Sequence, residues 1–231
     1  SKVIYNNDHD NSYGQGIGES QGWVETSEGK IIYCPKNTVA RFVRLHSQGN
    51  TSNDQNHYTE VEIYGLGSGA TKTTKRPASY RGPLTIEYPE PMFSVTSVPV
   101  RDPNVASINE LIPSRDKAII VSGDTTNLAL KKPVTSNKLR PATGKLAMVT
   151  DGDKSGHNGH NVDLGDGLKW VQIDLETVSS ISAISLWHYH TSSRVYRDVI
   201  VWVSNDPDFV KYATIFNNDH DDSAGLGVGK D

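Results

Sequence analysis

A chain of 231 residues with 35% hydrophobic and 22% charged side chains is long enough to bury a substantial core, as one large domain or two small ones. Its 23 Lys and Arg against 27 Asp and Glu leave a net charge of -4, and the basic residues are scattered apart from a small group at Lys72, Lys75, Arg76 and Arg81, which argues against a nucleic-acid partner. A single cysteine, Cys34, excludes an internal disulfide and a cysteine-built zinc site, and no apolar run approaches the roughly 18 residues of a membrane span.

The chain opens with the apolar run VIY at Val3 and the loop NNDHDNSYGQGIG from Asn6. Both recur at the other end, as TIF at Thr214 and NNDHDDSAGLGVG from Asn217, an offset of 211 residues (217 minus 6). A match that takes in the preceding run as well as the loop marks a repeat unit, so the chain reads as starting inside one unit and stopping inside the next. Divergence at Asn11/Asp222, Tyr13/Ala224 and Gln15/Leu226, among others, is that of neighbouring units. Asp8, His9 and Asp10, like Asp219, His220 and Asp221, carry metal-ligand groups. Adjacent side chains rarely all face one point, however, and Asn/Asp runs before glycines form capped turns.

From Val3 to Gly65 short β-prone runs alternate with polar turns: WVET at Trp23, KIIYC at Lys30, VARFVRL at Val39 and YTEVEIYG at Tyr58. In the last, Val61 and Ile63 point one way and Glu60, Glu62 and Tyr64 the other, the pattern of a half-buried strand. Residues from Gly67 to Ser79 are rich in Gly, Ser, Thr and Lys and read as a solvated linker. A proline-rich accessory segment follows, with candidate strands PLTIEYPEP at Pro83 and KAIIVSG at Lys117 and a helical turn at Ser107 to Leu111. Its apolar residues, Ile86, Tyr88, Phe93, Leu111, Ile112, Ile119 and Ile120, are too many for a free tether.

From Asn127 the strand pattern resumes in NLALKKPVTS, KLAMVTDGD, KWVQIDL, SISAISLWHYH, YRDVIVWVS and YATIF. Many strands at short spacing between Gly, Asn and Asp turns predict an all-β sandwich or jelly roll. No HExxH or P-loop occurs, and the chain is expected not to be an enzyme. His157 and His160, with no cysteine partner, read as loop residues.

The order NLALKKPVTS, AMVTDGD, WVQIDL, ISAISLWHYH, RDVIVWVSNDPDF resembles the N-terminal two thirds of discoidin-like (coagulation factor 5/8 type C) domains, which have a galactose-binding-like jelly roll. ARFVRLHSQGN followed by TEVEIYG is similar to the closing strands of that family, yet comes first here. The resemblance implies a discoidin-like jelly-roll β-sandwich assembled from Asn127 to Ile215 and Val3 to Gly65. Residues 1–66 would be the C-terminal part of a domain, 67–124 the linker and accessory segment, and 125–231 the N-terminal part. Two arrangements satisfy it: closure within the chain as a circular permutant, or complementation between half-domains of neighbouring chains, which builds a head-to-tail filament or array.

The resemblance further implies a structural calcium ion, for which Asp151, Asp153 and Ser155 of TDGDKSG and the distant Glu60 supply oxygens. GHNGHNVDLGDGL before Trp170 lengthens that loop relative to the family. In WHYHTSSRVYRD, Trp187, His188, His190, Arg194, Tyr196 and Arg197 are candidates for binding carbohydrate or another cell-surface ligand, since aromatics stack on sugar faces while Arg and His donate hydrogen bonds. The competing reading makes Trp187 and Tyr189 packing residues and pairs Arg197 with a carboxylate such as Asp198 or Asp174. The function implied is a non-catalytic extracellular or cell-surface adhesion module of a tandem-repeat protein, or, alternatively, a structural subunit of an extracellular filament.

Overall fold

The computed structural model describes residues 23–67, 81–92, 120–219 and 222–229. Their strands are β1 (Lys30–Tyr33), β2 (Val39–Ser47), β3 (Gln55–Leu66), β4 (Arg81–Pro83), β5 (Ile120–Ser122), β6 (Thr126–Asn127), β7 (Val134–Ser136), β8 (Val162–Asp166), β9 (Lys169–His188), β10 (Ile200–Ser204) and β11 (Ala213–Asn217). All pairings are antiparallel, and β4 and β5 form a separate two-stranded sheet. No helix among the described residues is long and apolar enough to cross a membrane.

The 20-residue strand β9 joins the two layers. Its first part, Lys169 to Asp174, pairs with β2 on one side and β7 on the other, and β2 in turn pairs with β10 and β10 with β11. Its last part, Ile181 to His188, pairs with β3 and β1, while β8 and β6 line the far side of β3. Between these parts the β2 pairing jumps from Ala40↔Ser179 to Phe42↔Asp174, and Glu176 has φ 65. That bulge bends the strand from one layer into the other. Side chains at every second position, Val43, Leu45, Val171, Ile173, Val201 and Val203 from one layer and Ile32, Val61, Ile63, Ile184 and Leu186 from the other, then meet in a single buried cluster. At about 1.5–3 kcal/mol for each fully buried large side chain, this packing is the main stabiliser of the β-sandwich. Strands β1 to β3 and β6 to β11 thus share one hydrogen-bonded network within the chain, with β2 lying between β10 and β9.

Several elements depart from the sequence expectation. Far from being half-buried, β3 is covered on both faces from Asn56 to Gly65, because the turn after Thr150 lies over Glu60 and Glu62. Similarly, Ile200 and Trp202 of β10 are buried with Phe42 and Phe209 beneath Ala224 and Leu226, opposite the main core. KLAMVTDGD is not a strand: Leu146–Thr150 form a 3-10 helix that buries Val149 and Thr150. NLALKKPVTS divides into β6 and β7 around Lys131, whose φ is 59. Leu84 to Pro91 form no strand, since Pro89 and Pro91 lack a ladder donor, but Leu84 and Ile86 pack on Val121 and Ala183. The VIY run at Val3, the linker from Ser68, the turn at Ser107 to Leu111, and Phe93, Ile112 and Ile119 lie outside the described residues.

Gly65 marks the tightest approach between β3 and β9. A Cβ there would stand 2.1 Å from the Ser180 carbonyl oxygen and 2.9 Å from Leu128 Cδ1, at the register break between Tyr64 and Gly65. Gly65→Ala is expected to destabilise the fold by about 1–3 kcal/mol, seen as an earlier urea midpoint with an unchanged slope.

Candidate functional site

The turn Asp151 to Ser155 follows the 3-10 helix and is built by its own carboxylates. The Asp153 amide donates to Asp151 Oδ1 (2.9 Å), the Ser155 amide donates to Asp153 Oδ1 (2.9 Å), and Gly152 adopts φ 95. The Gly152 amide donates to Glu60 Oε2 across 3.1 Å, so the turn that carries Asp151, Asp153 and Ser155 lies against Glu60 on β3. Glu60 is wholly buried opposite Trp187, and its Oε1 has no hydrogen-bond partner. Burial pushes its carboxyl up to about 9, an effect to which Glu62 and Asp151 add and which the Gly152 amide and Lys154 oppose. Ser155, through its hydroxyl and its amide, holds Asp153 below the usual carboxylate range.

An imidazole and an ammonium stand beside this turn. His160 Nε2 lies 3.2 Å from Asp151 Oδ2 and 3.8 Å from Asp153 Oδ2, and the Lys154 ammonium lies 2.8 Å from Glu62 Oε1 and 4.9 Å above the Trp187 ring. Glu62 also accepts from the Tyr64 hydroxyl. In donor chemistry the site fits a hard divalent cation, because a buried carboxylate with an orphaned oxygen sits beside two further carboxylates and exposed backbone. As they stand, Asp151 and Asp153 turn toward backbone amides and His160, and no three acidic, imidazole or thiol side chains among the described residues converge as a metal cluster.

The six candidate ligand-binding residues divide by burial. Trp187, His188, His190 and Tyr196 are all but inaccessible, and Arg194 is 6% exposed. Trp187 Nε1 donates to the Ser27 carbonyl (3.0 Å), His190 Nε2 pairs with the Lys154 carbonyl (2.8 Å), and Arg194 bonds the Ser192 hydroxyl (2.6 Å) while covering the Tyr189 ring at 4.7 Å. Arg197 alone is half exposed, paired at 2.7 Å with Asp54 and not with Asp198 or Asp174; Asp174 is taken by Arg41. Backbone bonds between the loops at 48–51 and 194–197 close this end of the sandwich.

A search of family models, curated proteins and solved structures finds no match to this chain.

Two groupings had little signal in the sequence. The first is a buried polar chain: Trp23 Nε1 donates to Glu25 Oε1 (2.9 Å), the same oxygen pairs with His188 Nδ1 (2.6 Å), His188 stacks on Tyr196 at 4.0 Å, and the Tyr196 hydroxyl meets His57 Nδ1 at 3.0 Å. Its members come from WVET, QNHY, LWHYH and RVYRD, four separate segments. The second lies on the outer face of β2, β9 and β10, where the Arg44 guanidinium is sandwiched between Trp170 at 4.3 Å and Phe209 at 4.1 Å and is fixed by Gln172. There Tyr212, 47% exposed, stacks on Trp202 at 3.9 Å. Of the repeated loop, Asp219 is described and buried, and its carboxylate caps the amides of Ser223 and Ala224; Asp8, His9, Asp10, His220 and Asp221 lie outside the described residues.

Proposed function

We propose that this chain is a non-catalytic extracellular binding or adhesion module, a discoidin-like jelly roll stabilised by calcium, from a tandem-repeat surface protein. The observation that carries this is Glu60: a carboxylate fully buried on β3 with one oxygen unpartnered, joined to the Asp151 to Ser155 turn through the Gly152 amide. A calcium ion between Glu60, Asp151, Asp153 and Ser155 would supply the positive charge that Lys154, already committed to Glu62, does not deliver to that oxygen. Pairing of β2 and β3 with β9 of the same chain supports a closed module over a filament built by complementation between chains. At the loop end, Arg197 and the half-buried Tyr189 are the groups accessible to a sugar, and the buried Trp187, His188, His190 and Tyr196 act as their support.

Calcium at about a hundred times its Kd is expected to stabilise the chain by about 2.7 kcal/mol, read as a raised Tm that a chelator reverses. Glu60→Gln, which removes the ionisable carboxyl but keeps the shape, is expected to fold as well without calcium and to lose the calcium increment. Immobilised glycans are probed in the same two conditions. A chain whose Tm ignores calcium and which retains no glycan sinks the proposal.

A further inference from the structure

On the outer face of β2, β9 and β10, Arg44 stands in register with Gln172 and Trp202 and points away from the core that its neighbours Val43 and Leu45 enter. Its guanidinium is held between the Trp170 and Phe209 rings, Nε and Nη2 donate to Gln172 Oε1 (2.9 and 2.6 Å), and Nη2 also meets the Pro207 carbonyl at 3.4 Å. All these acceptors are neutral. Among the described residues no carboxylate lies within ion-pair distance of Arg44, whereas Arg41, Lys132, Lys154 and Arg197 each have one. Burial disfavours its charge, and Asp206 and Asp208 offset this only from farther off, since both Asp206 oxygens accept amides of their own loop, those of Asp208 and Val210. Arg44 is thus a fixed, partly desolvated cation whose Nη1 donates to nothing among the described residues. Tyr212, stacked on Trp202, is 47% exposed on the same face. Arginine set among Trp and Tyr rings is the composition that concentrates binding energy at protein interfaces.

The other layer carries a complementary group on its own outer face. There Leu84 and Ile86 join Ile31, Val121 and Ala183 in an apolar cluster, Ala183 pointing away from the main core that Ile184 enters. Beyond this anchor Glu87, Tyr88, Glu90, Pro91 and Met92 are exposed. Pro89 and Pro91 fix their own φ and push Tyr88 and Glu90 toward extended backbone, so little conformational freedom remains to be lost when the segment docks. Glu90 makes no hydrogen bond or ion pair among the described residues. A carboxylate set between two proline rings matches a guanidinium set between two aromatic rings.

We infer that the Arg44 face of one copy of this chain receives the Glu90 segment of a second copy, with the Glu90 carboxylate on the open Nη1 edge and Pro89 and Pro91 against the flanking rings. The two groups cannot meet within one chain. They stand on opposite outer faces, and two sheets packed about 10 Å apart lie between them. Charge complementarity therefore selects a neighbour: an uncompensated cation on one face and an unpaired carboxylate, already held extended, on the other. Such a contact is head to tail, so every copy in it still offers one free surface, and association continues as an open row unless its rotation closes a ring. Both surfaces are complete in the single chain, and no strand leaves its own sandwich. Neither calcium nor a sugar takes part in the contact.

The test is sedimentation equilibrium of the full chain at concentrations from about 10 µM to about 1 mM, the range in which weak contacts are read. The average mass of the wild type is expected to rise across it, and Glu90→Gln and Arg44→Gln are each expected to associate at least about tenfold more weakly, as when one partner of a buried charge pair is removed. Mixed in equal amounts, the two variants are expected to form a dimer and nothing larger, because one keeps the arginine face and the other the acidic segment. Should Arg44→Gln fail to fold, Glu90→Gln is mixed with wild type instead. It can receive a segment but not give one, so it is expected to cap the rows and lower their average mass. A wild type that stays monomeric at about 1 mM overturns the inference, even if it binds free acetate at Arg44, since that assigns the face to another carboxylate. So does a Glu90→Gln chain that associates as the wild type does, or a mixture of the two variants no heavier than its components.

Discussion

Glu25→Ala is expected to destabilise the protein by about 3–5 kcal/mol, among the largest effects of any single change, although nothing about WVET in the sequence singles this residue out. Its carboxylate is wholly buried, and one oxygen, Oε1, serves both Trp23 Nε1 and His188 Nδ1. Removing it strands both rings. The His188 ring cannot turn to water, being stacked on Tyr196 at 4.0 Å and tilted against Tyr58 at 4.9 Å, and its Nε2 already lacks a partner. The cost is therefore that of leaving buried polar groups unpaired, which exceeds the net value of the bonds themselves. Glu25→Gln keeps an acceptor and is expected to lose less. In the double variant Glu25→Ala with His188→Phe, the apolar ring needs no acceptor, so part of the loss should return. Urea unfolding of the four chains measures this, and a Glu25→Ala loss below about 1 kcal/mol would show the pair to be incidental.

The strand content was legible because alternation survives in single segments: Val171, Ile173 and Leu175, or Val61 and Ile63, each report one face of one strand. That KWVQIDL and SISAISLWH are one strand was not, since the bulge at Glu176 that joins them is set by how β2 pairs on either side of it. Glu60 and Glu62 suggested a solvated face because carboxylates are seldom buried. The turn that covers them, with Gly152 and Lys154, lies about ninety residues away and is visible only once β3 is placed. The same limit applied to Trp187, His188 and Tyr196. Residue types suited to sugar binding are also those that build buried aromatic stacks, and local sequence does not say which side of the sheet they face.

Acid is expected to weaken the fold through its buried imidazoles before the carboxylates titrate. His46 on β2 lies opposite Ile200 and edge-on to Trp202 at 4.4 Å, and burial lowers its pKa to about 4, with Arg44 acting in the same direction and a backbone bond with Ile200 against it. His57 is also lowered by burial, reinforced by Arg194 and His188 and opposed by Asp163. For each, the unfolded chain takes up a proton near pH 6.5 while the folded one does not, so stability is full above that value and falls as the pH drops toward about 4. Glu60, raised to about 9, works in the opposite sense, losing stability as pH rises from its unfolded value toward 9. A wild-type profile alone would therefore mix the two, and comparison with a variant is needed. His46→Gln removes one imidazole and nothing else that titrates. Between about pH 7.5 and about pH 5 the wild type is expected to lose about 2 kcal/mol relative to His46→Gln, from roughly 1.4 kcal/mol per unit below 6.5. Parallel urea-derived stabilities for the two chains across that interval would mean that His46 is protonated as readily inside the sandwich as in water, and its packing against Trp202 would then have to be far looser than the 4.4 Å contact implies.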